Sequence, residues 1–185
     1  MVKKNTCVFI SGKGSNLNKI ILNSRSYVFP INIKLIISNK KDAGGLKIAK
    51  KFSIPYMVVN KKTRYPEKKI LNELKKRKIS LLLLAGYMRI LSKRFIKSFG
   101  NTILNIHPSL LPKFKGLDTF KRVLNSKEKK TGCTVHFVNE KLDNGKIVLK
   151  KSFYINDKDN IDSIKKKTQT LEYRAFSEAI IKIIK

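Results

Sequence analysis

The chain has 185 residues, with 42 Lys and Arg against 12 Asp and Glu, a formal net charge of +30. Its 42% apolar content supplies one domain with a substantial core and excludes a disordered polyelectrolyte. No apolar run approaches the ~18 residues of a membrane span, and Met1-Val2-Lys3-Lys4-Asn5 leads directly into a strand rather than a secretory segment, so a cytoplasmic protein beginning near residue 1 is expected.

The charge suggests nucleic acid, but its make-up argues otherwise. The basic residues are 35 Lys and 7 Arg, and Arg is the side chain that reads phosphates and bases bidentately. Lysine is spread over the whole chain beside abundant Asn and Ile, a pattern of compositional drift in an AT-rich genome. The expectation is therefore no specific nucleic-acid partner, with a basic nucleic-acid-binding protein as the alternative that charge alone supports. Cys7 and Cys133 lie in strand-like runs outside any C-x-x-C pair, and two Cys and two His without finger-like spacing predict no metal.

In chain order, Thr6–Ser11 (TCVFIS) reads as a buried strand, followed by Gly12-Lys13-Gly14-Ser15-Asn16 and a helix with Leu17, Ile20 and Ile21 at helical spacing. Asn32–Ser38 is a second strand, and Gly44-Gly45 opens a helix through Ile48 to Phe52. Pro55–Val59 is a third strand, and Pro66–Lys78 a lysine-rich helix with Ile70, Leu71 and Leu74 inward. Ser80–Ala85 (SLLLLA) has the continuous apolar run of a central parallel strand. This alternation predicts βαβ units and a doubly wound sheet. The second half differs. Thr102–Ile106 is a strand, Pro108 and Pro112 stiffen the loop after it, and Cys133–Val138 and Ile147–Ile155 flank Asp143-Asn144-Gly145 as a hairpin. Asn160–Lys185 is a closing helix with Ile164, Leu171, Phe176, Ile180 and Ile184 on its inner face.

Three segments can carry chemistry. The glycine turn at 12–16 meets a helix N-terminus and makes a cradle for a monophosphate. It lacks both the P-loop spacing and the third glycine of a dinucleotide fingerprint. The same residues also fit a plain glycine turn with Ser15 or Asn16 as helix cap. Asn105 and His107 are two apart on an extended segment and project to one side, an amide and an imidazole suited to a carbonyl becoming an oxyanion. Asp143 is either a turn residue or a carboxylate supporting His107. Met88-Arg89-Ile90-Leu91, beyond the fourth strand, can form a pocket wall for a flat aromatic ligand.

Together SGKGSN (11–16), AGYMRIL (85–91), LNIHPSLLPKFKG (104–116), TGCTVHFV (131–138) and LDNGKIV (142–148) resemble phosphoribosylglycinamide formyltransferases, the folate-dependent enzymes of the third step of purine biosynthesis. The LNIHPSLLP stretch is shared with other formyltetrahydrofolate users; the SGKGSN turn narrows the resemblance. It implies a Rossmann-like, three-layer α/β fold with a mostly parallel mixed sheet, antiparallel in the C-terminal half, as one formyltransferase domain over residues 1–185.

The resemblance also implies site roles. Asn105, His107 and Asp143 become the catalytic trio, with His136 in support. Gly14, Ser15 and Asn16 hold the ribose phosphate, with Gln169 and Glu172 near the glycinamide. The co-substrate 10-formyltetrahydrofolate rests on Met88, Arg89, Ile90 and Leu91 and on Asn139, Glu140, Lys141 and Leu142, with Arg64 near its tail. The sequence departs from the family at Phe120 and Tyr173, where histidine is usual, at Asn144 for glycine, and at Ser177 for proline. Small molecules are the expected partners, with no membrane and a monomer or homodimer. Formyltetrahydrofolate hydrolysis and tRNA formylation are the rival chemistries; they are associated with additional domains for which this chain leaves no room.

Overall fold

In the computed structural model, which describes residues 2–60 and 63–184, contacts divide the chain into two compact units, Met1–Leu104 and Asn105–Lys185. The first opens with β1 (Lys4–Ile10), whose Thr6–Ile10 stretch is wholly buried. A strand buried on both faces belongs in the interior of a parallel sheet covered by helices. Accordingly β1 pairs in parallel with both β2 (Ile31–Ser38) and β4 (Leu81–Leu84), with Cys7 opposite Leu35 on one side and Leu82 on the other. β3 (Tyr56–Val58) extends β2, giving the parallel order β3-β2-β1-β4.

The connections are α1 (Ser15–Ser24), α2 (Gly44–Lys51) and α3 (Pro66–Lys76), and α4 (Lys93–Phe99) follows β4. α3 starts with proline at its first turn, where no amide donor is missed, and buries Ile70 and Leu74. Leu71 is only half-buried. The sequence reading placed no helix at Lys93–Phe99. That helix is two turns long and buries only Phe95 and Phe99, so periodicity cannot announce it. Its signal is the cap: Ser92 Oγ accepts the Phe95 amide at 3.0 Å, while the Glu67 carboxylate accepts both the Ser92 amide and its hydroxyl.

β5 (Thr102–His107) crosses into the second unit, which continues with α5 (Thr119–Leu124), β6 (Lys130–Phe137), β7 (Ile147–Tyr154) and α6 (Ile161–Ile184) in strand order β5-β6-β7. β6 and β7 form the expected antiparallel hairpin, paired from Lys130–Tyr154 to His136–Ile147, with an irregularity at Val135–His136. The α/β class with a mixed sheet is thus as expected from the sequence, although α5, like α4, was not anticipated. α6 packs on β6 and β7 through Ile164, Ala175, Phe176, Ala179 and Ile180; Leu171 and Ile184 are half-buried. Its start is set by reciprocal capping between Asn160 and Ser163, each amide donating to the other side chain at 2.9 Å. Lys185, the last residue of the helix as read from sequence, lies outside the described residues.

The hairpin predicts one intolerant position. A Cβ at Gly132 would fall 1.9 Å from the Lys151 carbonyl oxygen and 2.7 Å from Ser152 Cα. Gly132→Ala is therefore expected to cost about 1–3 kcal/mol or more as the strands part, lowering Tm by roughly 2–12 °C. An unchanged melting curve would contradict this register. Both cysteines are free and buried. Burial pushes the Cys133 thiol up to about 12, which leaves it unreactive at neutral pH. Among the described residues no helix is long and apolar enough to cross a membrane.

Candidate active site

Extended backbone turns alternate side chains to one side, and β5 ends by presenting Asn105 and His107 together. In the same unit β6 supplies His136, and the β6–β7 connection supplies Asp143. His107, His136 and Asp143 are all buried. The Asp143 carboxylate is their centre. Its Oδ2 accepts the Gly116 amide at 2.9 Å and lies 3.3 Å from His107 Nδ1. Its Oδ1 is 3.5 Å from the Asn105 amide nitrogen and 3.7 Å from His136 Nε2.

The hydrogen positions follow from the partners. His107 Nε2 is 2.9 Å from the Phe114 carbonyl, which can only accept, so Nε2 carries a hydrogen. His136 Nδ1 is likewise 2.9 Å from the Phe137 carbonyl and donates to it. A neutral His136 then has its Nε2 lone pair free to accept the Asn105 amide at 3.1 Å. The cluster therefore fixes the rotamer of Asn105, the tautomer of His107 and the orientation of Asp143 together.

The loop after β5 is tied down along its length. Thr134 Oγ1 accepts the Leu111 amide at 3.0 Å and donates to the Ser109 carbonyl at 2.7 Å, and Ser109 Oγ donates to the Lys113 carbonyl at 2.7 Å. Phe114, at φ 57°, and Gly116, at φ 80°, then turn a carbonyl toward His107 and an amide toward Asp143. Neither contact was found from sequence, because backbone groups leave no residue-type signal; the glycine of KFKG was its only trace.

Burial dominates the His107 ring and holds its pKa below the ordinary imidazole value of 6.5, against the opposing pull of the Phe114 carbonyl and the Asp143 carboxylate. For Asp143 burial is also the largest influence and acts upward, but His136, the Gly116 amide and His107 together outweigh it and leave the carboxyl below 3.8. For both groups the unfolded chain binds protons that the folded chain refuses, so stability present above the unfolded values is lost as pH falls. Tm is expected to drop as pH falls below about 6.5 through the depressed His107 value, and again below about 3.8. Thermal unfolding of wild type and His107→Gln between pH 8 and 5 checks the first step. The variant should show a smaller drop; parallel curves would contradict it.

The sequence left Asp143 open between turn residue and functional carboxylate; its φ is 46°, and its carboxylate is buried at the centre of the cluster. The positive φ in this turn falls on Asp143 and not on Asn144. Asn144 turns outward, its Oδ1 accepting Lys115 Nζ at 2.6 Å. Ser177, at the usual proline position, lies inside α6 and donates to the Tyr173 carbonyl at 2.9 Å. Phe120, in α5, is half-buried.

The other proposed ligand residues divide between the units. In the second, Asn139, Glu140, Lys141 and Leu142 are exposed, and Asn139 braces the loop through the Lys141 amide and the Asn144 carbonyl. Gln169 and Glu172 are half-buried and three apart on α6, hence on one face. In the first unit Gly14 is the N-cap of α1 at φ 80°, with no side-chain cap, so the reading of Ser15 or Asn16 as cap does not hold. No acidic residue occupies the first turn of α1, whose positive end is left unneutralised. The turn is shaped from behind by α2. Gly45 donates its amide to the Gly12 carbonyl at 3.1 Å, and a Cβ at Gly14 would fall 2.5 Å from Gly45 Cα. Ser11, unnoticed in the sequence, links this turn to the 86–91 loop: its Oγ accepts the Met88 amide at 2.8 Å and donates to Asn39 Oδ1 at 2.5 Å. In that loop Met88 and Ile90 are 64% and 77% exposed, as a free apolar wall requires, whereas Leu91 turns into the core. Arg64 is exposed, its guanidinium 5.1 Å from the Tyr65 ring centre. Among the described residues no three His, Cys, Asp or Glu side chains group to hold a metal ion.

Comparison with known proteins supplies the family. The profile of the formyl transferase family matches residues 4–180. The phosphoribosylglycinamide formyltransferase of Haemophilus influenzae is 41% identical over 177 residues, covering 94% of this chain and 84% of that protein. The trifunctional purine biosynthetic protein adenosine-3 of Drosophila melanogaster is 37% identical over 98% of this chain, which spans only 14% of that longer protein. The crystal structure of phosphoribosylglycinamide formyltransferase from Brucella melitensis superposes with a TM-score of 0.93 at 38% identity, covering 98% of this chain and 96% of that one. On family match, identity and fold alike, the chain belongs to the formyl transferase family.

Proposed function

We propose that the protein transfers the formyl group of 10-formyltetrahydrofolate to the amine of 5-phosphoribosylglycinamide, acting as one formyltransferase domain in the cytoplasm on small molecules. The observation that carries the proposal is the Asp143 carboxylate held between His107 Nδ1 at 3.3 Å and the Gly116 amide at 2.9 Å, with Asn105 alongside.

In this reading the amine attacks the formyl carbon directly, without an acyl-enzyme intermediate. The developing oxyanion accepts from the Asn105 amide and from His107 Nε2–H. Such donors contribute on the order of 10²–10³ each in rate. The Nε2–H that donates to Phe114 in the resting protein is the same hydrogen, so substrate displaces that carbonyl as acceptor. As negative charge builds on the formyl oxygen the ring gains affinity for a proton, and Asp143, at Nδ1, stabilises the imidazolium. Asp143 also organises the water that carries the amine proton to the departing N10. His136 acts through Asn105, by accepting its amide. No step needs a metal.

Gly14, Ser15 and Asn16 grip the ribose phosphate in this proposal, so the fit of Gly45 behind them has a kinetic consequence. A Cβ at Gly45 would meet Ile10 Cδ1 at 2.4 Å and Gly14 Cα at 3.3 Å, pushing the turn outward. Gly45→Ala is expected to raise KM for phosphoribosylglycinamide severalfold while kcat stays within about twofold. An unchanged KM would show that the turn does not hold the phosphate.

The direct test mixes the purified protein with phosphoribosylglycinamide and 10-formyltetrahydrofolate and follows the absorbance change as deformylated folate appears. Formation that requires phosphoribosylglycinamide supports the reading. Deformylation at the same rate without that acceptor would make the protein a hydrolase.

A further inference from the structure

Ser11 follows β1 and is buried, and its hydrogen bonds hold together the ends of three neighbouring strands. β2, β1 and β4 lie side by side in the first unit, and their C-terminal ends lead into Asn39, the glycine turn at 12–16 and the 86–91 loop. The Ser11 amide donates to the Gly86 carbonyl at 3.1 Å, one step beyond the bond from the Ala85 amide to the Phe9 carbonyl at 2.9 Å. The Ser11 hydroxyl then stands in for a further ladder carbonyl and accepts the Met88 amide at 2.8 Å. Its own hydrogen goes to Asn39 Oδ1 at 2.5 Å, so the rotor is fixed from the opposite side. Packing does little to hold the segments that meet here. A Cβ at Gly12 or at Gly86 would touch nothing within 4 Å, and Met88 and Ile90 are exposed. The place of the apolar wall beside the glycine turn therefore depends on polar ties, and the hydroxyl is the tie that reaches Met88.

We propose that Ser11 is a positioning residue that couples the two ligand segments of the first unit. A phosphate gripped by the glycine turn steadies the Met88–Leu91 wall through the hydroxyl, and a flat ligand on the wall steadies the turn in the same way. The coupling rests on the formyl-transfer reading, which supplies the two ligands. Ser11 acts through its neighbours: the first ligand bears the cost of ordering the shared segments, and the second is spared it. Such coupling is reciprocal, so either substrate should tighten the other by the same factor.

Calorimetry measures Kd for tetrahydrofolate, which has no formyl group to give, with and without saturating phosphoribosylglycinamide. Wild type is expected to bind it about fivefold tighter beside the acceptor, within what one hydrogen bond can supply. Ser11→Ala should bring that ratio to near one while its melting curve stays cooperative, and Ser11→Thr, which restores the hydroxyl, should recover it. A serine with a merely structural role would weaken both ligands and leave the ratio in place. That result overturns the coupling, as does a ratio of one in wild type. If neither ligand binds, the functional reading fails, and amide hydrogen exchange in wild type still decides the tie, as it does if Ser11→Ala does not fold. Inorganic phosphate that slows exchange at the Met88 amide upholds the coupling, and exchange unchanged by phosphate rejects it.

Discussion

His107→Ala is expected to lower kcat by about a hundredfold or more in a protein that remains folded, the effect of removing an oxyanion donor from a preorganised site. The ring is held through Nε2 by the Phe114 carbonyl at 2.9 Å, and its Nδ1 lies 3.3 Å from Asp143 Oδ2, where a proton on the imidazolium would be shared with the carboxylate. The other imidazole, His136, does not replace it, since its Nδ1 hydrogen goes to the Phe137 carbonyl. Truncation also leaves the Phe114 carbonyl and one Asp143 contact unmatched in a buried place, a cost of about 1–3 kcal/mol. A melting point lower by several degrees is expected beside the kinetic loss, not unfolding. Steady-state kinetics on a variant whose melting curve stays cooperative separates the two. Activity within a few fold of wild type would remove His107 from the mechanism.

The second large effect is that of Asp143→Asn, also about a hundredfold or more in kcat, within the ~10²–10⁴ range for positioned proton transfer. The substitution keeps shape, and the amide oxygen can still accept from Gly116. That oxygen is also the atom that faces His107 Nδ1, so the NH₂ is turned toward Asn105 and His136, and the site loses the anion that would stabilise an imidazolium. The depressed carboxyl of Asp143 belongs to this arrangement, because the neighbours that lower it favour the charged form that the proposed chemistry uses. KM should change far less than kcat, since the loss falls on the transition state. A variant that loses KM and keeps kcat would assign Asp143 to binding alone.

How much of this was legible in the sequence follows from which forces act locally. The buried strands were, because a parallel sheet covered on both sides demands continuous runs such as Val8-Phe9-Ile10 and Leu81–Leu84. The hairpin was, because Asp143-Asn144-Gly145 announces a turn between two apolar runs. α4 and α5 were not: helices of seven and six residues show too little of a period, and α4 depends on Glu67, distant in sequence. In the site the side chains could be named, since an amide, an imidazole and a carboxylate are scarce and chemically distinctive. The groups that aim them could not. The Gly116 amide, the Phe114 carbonyl and the positive φ at Asp143 rather than Asn144 are properties of backbone path. The +30 charge, the most conspicuous feature of the composition, says little by itself.

The most direct measurement is kcat for the His107→Ala/Asp143→Asn double variant beside its two single variants. Side chains that work as one unit lose their joint contribution once, so the double variant should fall only a few fold below the worse single. If the two losses multiply instead, to about 10⁴-fold or beyond for two independent hundredfold effects, His107 and Asp143 act separately, and a carboxylate supporting an imidazole is not how this protein works.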